Sequence, residues 1–137
     1  MNLHGAGVLV TGGAQRLGRA IALGLGRAGA NVMIHYHRSA EQAQAVVAEL
    51  RALGIEAAAV QGDLARVADA ERVADAAIAQ WGQLNLLVNN AGIWGRTPLG
   101  TVSAEQWDEL LATNVRGAVF IAQRAASALR ETQGAIV

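Results

Sequence analysis

The sequence predicts an α/β fold in which helices cover both faces of a parallel sheet. Along the 137 residues, short runs of apolar residues alternate with longer segments whose apolar residues recur every three or four positions. A strand that is apolar throughout is buried on both faces, and strands separated by helices pair in parallel through right-handed crossovers. These observations indicate about five strands in a three-layer, doubly wound α/β/α arrangement.

The first strand is predicted at residues 7–11, and an amphipathic helix follows it. The apolar residues that we expect on the core face of this helix are Leu17, Ile21, Leu25 and Ala28. Gly29 then ends the helix, because glycine adopts the positive φ of the position after a helix without a steric cost. Residues 32–34 form the second predicted strand.

The second helix is expected to begin with a capping box at residues 39–42, Ser-Ala-Glu-Gln. In such a box, two side chains and two backbone N–H groups at the helix start bond to each other. The expected core residues of this helix are Ala43, Val46, Val47, Leu50 and Leu53. Gly54 ends the helix, and residues 57–60 form the third strand.

The third helix has an apolar stripe that Gly82 ends, and the fourth strand follows at residues 84–88. The stripe consists of Val67, Ala70, Ala74, Ala77, Ile78 and Trp81. A second Ser-Ala-Glu-Gln box at residues 103–106 begins one long helix. Its expected core residues are Trp107, Leu111, Val115, Ala118, Ala122 and Leu129. Residues 135–137 begin a fifth strand, so we expect one incomplete domain over residues 1–137 that stops inside that strand.

Composition excludes several classes of function. Eleven basic residues balance eleven acidic ones, so neither a nucleic acid nor an acidic membrane surface is an expected partner. The chain has no cysteine, which excludes disulfides, a thiolate nucleophile and cysteine-based zinc sites. No secretory signal is recognisable, and amide side chains interrupt the longest uncharged stretch, residues 76–95. We therefore expect no membrane span and a cytoplasmic location.

A glycine-rich loop at residues 11–18 joins the first strand to the first helix. A diphosphate needs free backbone N–H groups, the positive end of a helix and no Cβ in the way. Gly12 and Gly13 would allow the tight turn and the close approach, and Gly18 would let the helix pack against the strand. The alternative is an ordinary glycine-rich turn. A second G-x-G-x-x-G match at residues 24–29 lies at the end of a helix, where its N–H groups are already bonded, and is rejected.

The loop resembles the T-G-x-x-x-G-x-G motif of the short-chain dehydrogenase/reductases. Three further motifs of that family follow in order: Asp63-Leu64 after the third strand, Asn-Asn-Ala-Gly at residues 89–92, and Asn114 in the long helix. The resemblance implies a Rossmann-type nucleotide-binding domain and an oxidoreductase that reduces a carbonyl or a pterin by hydride transfer. In this family the asparagine at the position of Asn114 disturbs the helix and holds a water of the proton relay. From the residues alone, Asn114 would otherwise be a plain buried amide.

The loop and the later motifs together give the first part of the candidate cofactor site. Its residues are Gly12, Gly13, Arg16, Leu17, Gly18, Asp63, Leu64, Asn90, Ala91 and Gly92. Arg16 departs from the family motif, which has a glycine at this position. It is similar in this to the pteridine reductases, whose arginine lies near the cofactor phosphates. A solvated surface charge is the alternative for Arg16.

The end of the second strand predicts the choice of cofactor. Enzymes that bind NAD place an acid there to accept the ribose 2′-OH, whereas residues 35–39 read His-Tyr-His-Arg-Ser and contain none. Arg38, with His37 and Ser39, would bind a 2′-phosphate, and the stretch resembles the same segment of pteridine reductases. We therefore expect NADP(H). His35 and His37 share a strand face, but no third ligand is evident, so no metal site is predicted.

The family's catalytic residues are not found in this sequence. Its proton donor is the tyrosine of a Tyr-x-x-x-Lys motif, helped by a serine after the fifth strand. Here the only tyrosine is Tyr36 and there is no lysine. We therefore expect a truncated chain that is inactive alone. Trp94 is the one candidate substrate residue, because it matches an aromatic position that stacks on the pterin ring in pteridine reductases. A place in the core is the equal alternative.

The expected partners follow from the same resemblance. The complete enzyme would bind a small-molecule substrate, which the sequence does not identify, and would form a homo-oligomer. The chain as given would be prone to association through its uncovered sheet edge. The competing interpretations are a non-catalytic NADP-binding module and an interaction protein that uses that edge.

Overall fold

The computed structural model, which describes residues 2–137, contains a five-stranded parallel sheet between two layers of helices. The strands are β1 (Gly7–Val10), β2 (Asn31–Tyr36), β3 (Ala57–Gln61), β4 (Leu86–Val88) and β5 (Ala135–Ile136). The helices are α1 (Arg16–Arg27), α2 (Ala40–Ala52), α3 (Val67–Trp81), α4 (Ala104–Leu111) and α5 (Ala118–Glu131). The α/β fold predicted from the sequence is confirmed.

The sheet has the strand order β3-β2-β1-β4-β5, with every neighbouring pair parallel. The central strand β1 therefore pairs on both sides, and Val8 lies between Val32 of β2 and Leu86 of β4. The chain builds outwards from β1 to β3 and then returns to the other side of β1. This reversal makes the carboxyl ends of β1 and β4 the switch point at which doubly wound folds bind their ligands.

Alternate residues of β1 enter two separate cores. Val8 and Val10 pack beneath α1 and α2, whereas Leu9 packs against α3 and α5. A strand whose side chains are buried on both faces must be apolar at every position, which explains its unbroken run of apolar residues. Thr11, directly after β1, is buried as well, so the loop at the switch point begins from a rigid anchor.

The predicted core face of α1 is wrong by one position. The buried residues are Gly18, Ala22, Leu23 and Gly26, whereas Leu17 is 67% exposed and Ile21 and Leu25 are only partly buried. A Cβ built on Gly26 would lie 2.6 Å from Leu50 Cδ2 of α2. Small residues thus bring α1 close to its neighbours, and the larger apolar residues flank the contact instead of filling it.

A capping box forms at only one of the two Ser-Ala-Glu-Gln segments. The box that begins α4 is confirmed: Ser103 Oγ accepts the Gln106 N–H at 3.2 Å, and Gln106 Oε1 accepts the Ser103 N–H at 3.1 Å. The box predicted at residues 39–42 is wrong, because the Ser39 side chain makes no capping bond. Its Oγ instead accepts a hydrogen bond from Gln15 Nε2 at 3.2 Å. A contact across the fold replaces the local one.

The long final helix is not continuous. Ala112–Gly117 form a π-helical segment between α4 and α5, and its wider turn rotates the buried face. The predicted core residues Trp107, Leu111 and Val115 are exposed, so this part of the prediction is wrong. The core of α5 is formed by Ile121, Ala125 and Leu129, and none of the residues of α4 is buried. None of the helices in residues 2–137 is both long and apolar enough to span a membrane.

Candidate functional site

Two adjoining cavities of about 420 and 400 Å³ lie at the carboxyl ends of β1, β2 and β4. The residues that line both are Gly12, His37, Ser39, Ala91 and Gly92. Arg16, Leu17, Gly18 and Asn90 line only the first, and Arg38, Asp63 and Leu64 only the second. The fold thus gathers all predicted cofactor-binding residues except Gly13 around one opening.

The glycines of the loop after β1 each meet a different neighbour. A Cβ on Gly12, whose φ is +63°, would lie 3.0 Å from Ala91 Cα. A Cβ on Gly18 would collide with the Gly12 carbonyl oxygen and the Asn90 amide, so this glycine lets α1 pack on the loop itself. Gly13 faces the core, where its Cβ would lie 2.7 Å from Ile34. Gly12 lines both cavities, whereas Gly13 lines neither.

Backbone N–H groups for an anion remain in the first turn of α1. Earlier in the loop, the Thr11 N–H bonds to the Val88 carbonyl and the Gly13 N–H to the His35 carbonyl. The first turn of a helix has no internal acceptors for its N–H groups, and Leu17 and Gly18 in that turn line the first cavity. With no acidic residue in this turn, the positive end of the helix is not neutralised.

Arg16 adopts a backbone conformation that normally requires glycine. Its φ is +49°, in the left-handed region, although its side chain carries a Cβ. The family motif has glycine here, so the arginine retains the turn and adds a cation beside the first cavity. Strain of this kind persists where a function requires it.

Thr11 and Asn90 fasten the loop to the segment after β4. Thr11 Oγ1 accepts the N–H groups of Asn90 and Ala91 at 3.0 and 2.9 Å and donates to the Val88 carbonyl at 3.2 Å. Asn90 Nδ2 donates to the carbonyls of Thr11 and Gly12 at 2.9 and 3.2 Å. Asn90 therefore shapes the cavity and lines it. The role of Thr11 was missed from the sequence, although a polar residue directly after a buried strand is a usable signal.

His35 and His37 have different environments, because β2 ends at Tyr36 and only His35 lies within the strand. His37 is exposed at the cavity, whereas the His35 side chain is buried and both its ring nitrogens are engaged, with Gly12 and Gly62. Burial is the main cause that lowers the His35 pKa below 6.5. His35 is therefore a neutral structural group whose ring nitrogens are both already engaged. Residues 2–137 contain no cluster of three or more metal-ligating side chains.

Asp63 uses its polar groups to shape the turn after β3. Its Oδ1 accepts the Ala65 N–H at 3.1 Å, and its own N–H donates to Asp69 Oδ2 at 2.9 Å. That N–H and the ion pair with Arg72 keep the Asp69 pKa below its ordinary value. Leu64 is buried and packs against Gly117 of the π-helical segment, where a Cβ would lie 2.6 Å from the Leu64 carbonyl oxygen.

Asn114 lies in the π-helical segment, so this stretch is not a regular α-helix. The expectation that its amide is buried is wrong, because the residue is exposed. Its side chain forms two reciprocal hydrogen bonds with the backbone of Ile93, each 2.8 Å long. Asn114 lines neither cavity, but its neighbour Thr113 and Glu109 line the second. Nothing in the sequence marked these two residues.

Trp94 lies on the surface, in the irregular segment that follows β4. It is 81% exposed, so its alternative place in the core is excluded. It lines neither cavity and extends from the segment that Asn114 fixes through Ile93.

Comparison with known proteins gives one family. The family model of the short chain dehydrogenases matches residues 6–137. The chain is 41% identical over 129 residues to the short chain dehydrogenase/reductase nsrJ of Aspergillus novofumigatus, covering 94% of this chain and 49% of that protein. It is 38% identical over 130 residues to the 3-oxoacyl-[acyl-carrier-protein] reductase FabG of Staphylococcus aureus, covering 94% of this chain and 53% of that one. The chain thus spans about half the length of these relatives.

Solved structures agree with the sequence relatives. A short chain dehydrogenase from Burkholderia cenocepacia in complex with NADP superposes with a TM-score of 0.91 at 42% identity, over 94% of this chain and 53% of that one. A blue fluorescent protein from a metagenomic library in complex with NADPH gives 0.90 at 37% identity, with the same coverage.

Proposed function

This chain belongs to the short chain dehydrogenase family, and from that premise we propose that residues 1–137 are the NADP(H)-binding domain of an oxidoreductase. When bound, NADPH supplies the hydride that reduces a carbonyl or pterin substrate. One observation carries the choice of cofactor: Arg38, with His37 and Ser39, borders the second cavity at the end of β2, where an NAD-binding domain has an acid.

Charge supports the 2′-phosphate at this position. The guanidinium of Arg38 is planar and permanently charged, and it pairs with phosphate oxygens through two parallel N–H groups. The Ser39 hydroxyl is held at the cavity by Gln15, which leaves its proton free to donate to a phosphate. The similar Burkholderia and metagenomic proteins were solved with NADP and NADPH. They support the same cofactor here.

The remaining contacts follow from the shape of the cavities. The diphosphate would lie at the first turn of α1, against the N–H groups of Leu17 and Gly18 and beside Arg16. The adenine would lie against Asp63 and Leu64. Asn90, Ala91 and Gly92 would border the cofactor on the side of β4.

Catalytic roles within this chain are limited to two residues. We assign Asn114 to the water of the proton relay and Trp94 to stacking on a flat substrate ring. The pteridine-reductase likeness of Trp94 and Arg16 stays a prediction about substrate class. With no lysine and with its single tyrosine on β2, the chain has no Tyr-x-x-x-Lys acid. This favours a second candidate function for the chain alone, a binding module that holds NADP(H) without reducing a substrate.

The test is a titration of NADPH and NADH against the wild type and Arg38→Asp. The wild type should bind NADPH at least about tenfold more tightly than NADH, since one charge-assisted contact is worth about 1.5–3 kcal/mol. Arg38→Asp should remove that preference by placing a carboxylate where the 2′-phosphate lies. Arg130→Asp is the matched control, because Arg130 is exposed on α5 and lines neither cavity. Equal affinities in the wild type would overturn the assignment.

A further inference from the structure

One buried side chain holds the loop after β1, and the proposed function assigns it no role. His35 is 3% exposed, and its Nδ1 accepts the Gly12 N–H at 3.2 Å. Its backbone carbonyl accepts the Gly13 N–H at 2.9 Å. The N–H groups of the successive loop residues Gly12 and Gly13 therefore both donate to His35 of β2.

The second ring nitrogen fixes the tautomer. His35 Nε2 lies 3.0 Å from the Gly62 carbonyl oxygen, which only accepts hydrogen bonds. Nε2 must therefore carry the proton, and Nδ1 is left with the lone pair that Gly12 needs. A protonated ring would carry a second N–H at Nδ1, facing the Gly12 N–H donor to donor. The bond to Gly12 exists only while the imidazole is neutral.

We propose that His35 is a positioning residue that holds Gly12 in the form the diphosphate requires, and that protonation of its imidazole releases the loop and weakens cofactor binding. The proposal rests on the proposed function for its ligand, NADP(H). It adds a regulatory property, which is an affinity that falls as the pH falls. Gly12 is the link, because it lines both cavities while its N–H is committed to His35.

The surrounding charges set the direction of the pH effect. Burial lowers the His35 pKa, the Gly62 carbonyl opposes this, and His37 and Arg72 lower it further while Asp69 raises it. Asp63 and Glu109 border the same cavity. Because the pKa lies below 6.5, the ring is neutral and the loop is held at neutral pH. Release requires acidification through the lowered pKa.

His37 is replaced in both chains, because it borders the proposed 2′-phosphate position and its own effect on affinity must be kept out of the comparison. The experiment therefore measures the NADPH dissociation constant from pH 8 to pH 5 in His37→Gln and in the double variant His35→Asn/His37→Gln. Asparagine places an acceptor near the position of Nδ1 and does not titrate. Ionisation of the cofactor's own phosphate is common to both chains and cancels in the comparison.

We expect the dissociation constant of His37→Gln to rise relative to that of the double variant as the pH falls through the His35 pKa, and to level off about tenfold higher once the ring is protonated. His35→Phe, which leaves the Gly12 N–H without an acceptor, should bind NADPH about tenfold more weakly than the wild type at neutral pH, where the wild-type ring is neutral. Parallel pH profiles in the two chains, or wild-type affinity in His35→Phe, would overturn the proposal.

Nuclear magnetic resonance on the wild-type chain gives a readout that needs neither a variant nor the cofactor. The ¹⁵N shifts of the ring should report the Nε2–H tautomer at pH 7.5, and the Gly12 amide should shift with the same pKa as the ring. If the chemical shift of the Gly12 amide did not change as the His35 ring titrates, the positioning role would be contradicted. If the wild type binds no NADPH while Gly12 follows His35, the proposed function fails and the loop contact stands.

Discussion

At the scale of single residues, Arg16 combines a backbone cost with an electrostatic gain. Its φ of +49° would cost glycine nothing, whereas an L-residue pays about 1–2 kcal/mol in this region. The guanidinium lies at the edge of the first cavity, where the proposed diphosphate would lie. The sequence marked Arg16 as a departure from the family motif, but only the structure reveals that the left-handed turn is kept.

Arg16→Gly should separate the two effects. We expect the free energy of unfolding to stay the same or rise by up to about 1 kcal/mol, because the relief of strain offsets the greater freedom of glycine when unfolded. NADPH affinity should fall about tenfold with the loss of a charged phosphate contact. Urea unfolding and cofactor titration measure both. A variant that is clearly destabilised and still binds NADPH as the wild type does would refute this account of Arg16.

At the scale of elements, identical four-letter segments behave differently because their surroundings differ. Ser103 has only its own helix to bond, so the local rule holds and the capping box forms. Ser39 lies beside the loop after β1, and its hydroxyl oxygen accepts a hydrogen bond from Gln15 instead. Helix ends at Gly29, Gly54 and Gly82 were predictable, since each has the positive φ that its position requires. Contacts between distant segments were not predictable from local patterns.

The two serines predict opposite results on substitution. Ser103→Ala should lower the free energy of unfolding, or the protection of α4 from hydrogen exchange, by about 1 kcal/mol, since α4 has no buried residue to compensate. Ser39→Ala removes no cap and should change stability little, but it should weaken NADPH binding. Exchange rates and cofactor titration on both variants decide this. Weaker NADPH binding in Ser103→Ala than in Ser39→Ala would contradict it.

The π-helical segment is a feature that the spacing of apolar residues does not predict. The stripe from Trp107 to Leu129 continues in the sequence, yet its first half, which lies before and within the π-helical segment Ala112–Gly117, is exposed. Gly117 explains the geometry, because only a glycine lets the helix approach the Leu64 carbonyl oxygen so closely. Apolar spacing alone does not distinguish a regular helix from one with an inserted π turn.

At the scale of the whole molecule, the alternation of elements indicates the parallel sheet and both helix layers but not the strand order. The fold class was therefore predictable. The predicted stripes that became exposed create a surface feature that was not. Large apolar side chains lie exposed along α4, the π-helical segment and α5, namely Trp107, Leu111, Val115 and Val119. We refer to these four side chains together as the apolar surface, and exposed apolar patches mark sites of association.

We therefore predict that the chain self-associates through this apolar surface. Sedimentation velocity should show dimers or larger species for the wild type and a monomer for Leu111→Glu/Val115→Glu, because a charge in an apolar contact is costly to desolvate. Leu53→Glu is the matched control, an exposed leucine directly after α2 and outside this surface. A wild type that is monomeric at all concentrations would refute the prediction.

The central claim, that this chain binds NADP(H) at the carboxyl ends of β1, β2 and β4, is tested most directly by mapping amide shifts during NADPH titration. The largest changes should occur at Gly12, Leu17, Gly18, Arg38 and Ala91, and NADH should shift Arg38 less than NADPH does. A third cavity at the opposite end of the sheet, lined by His4 and Gly29, provides an internal control. Shifts concentrated there, or no saturable shifts at all, would contradict the account.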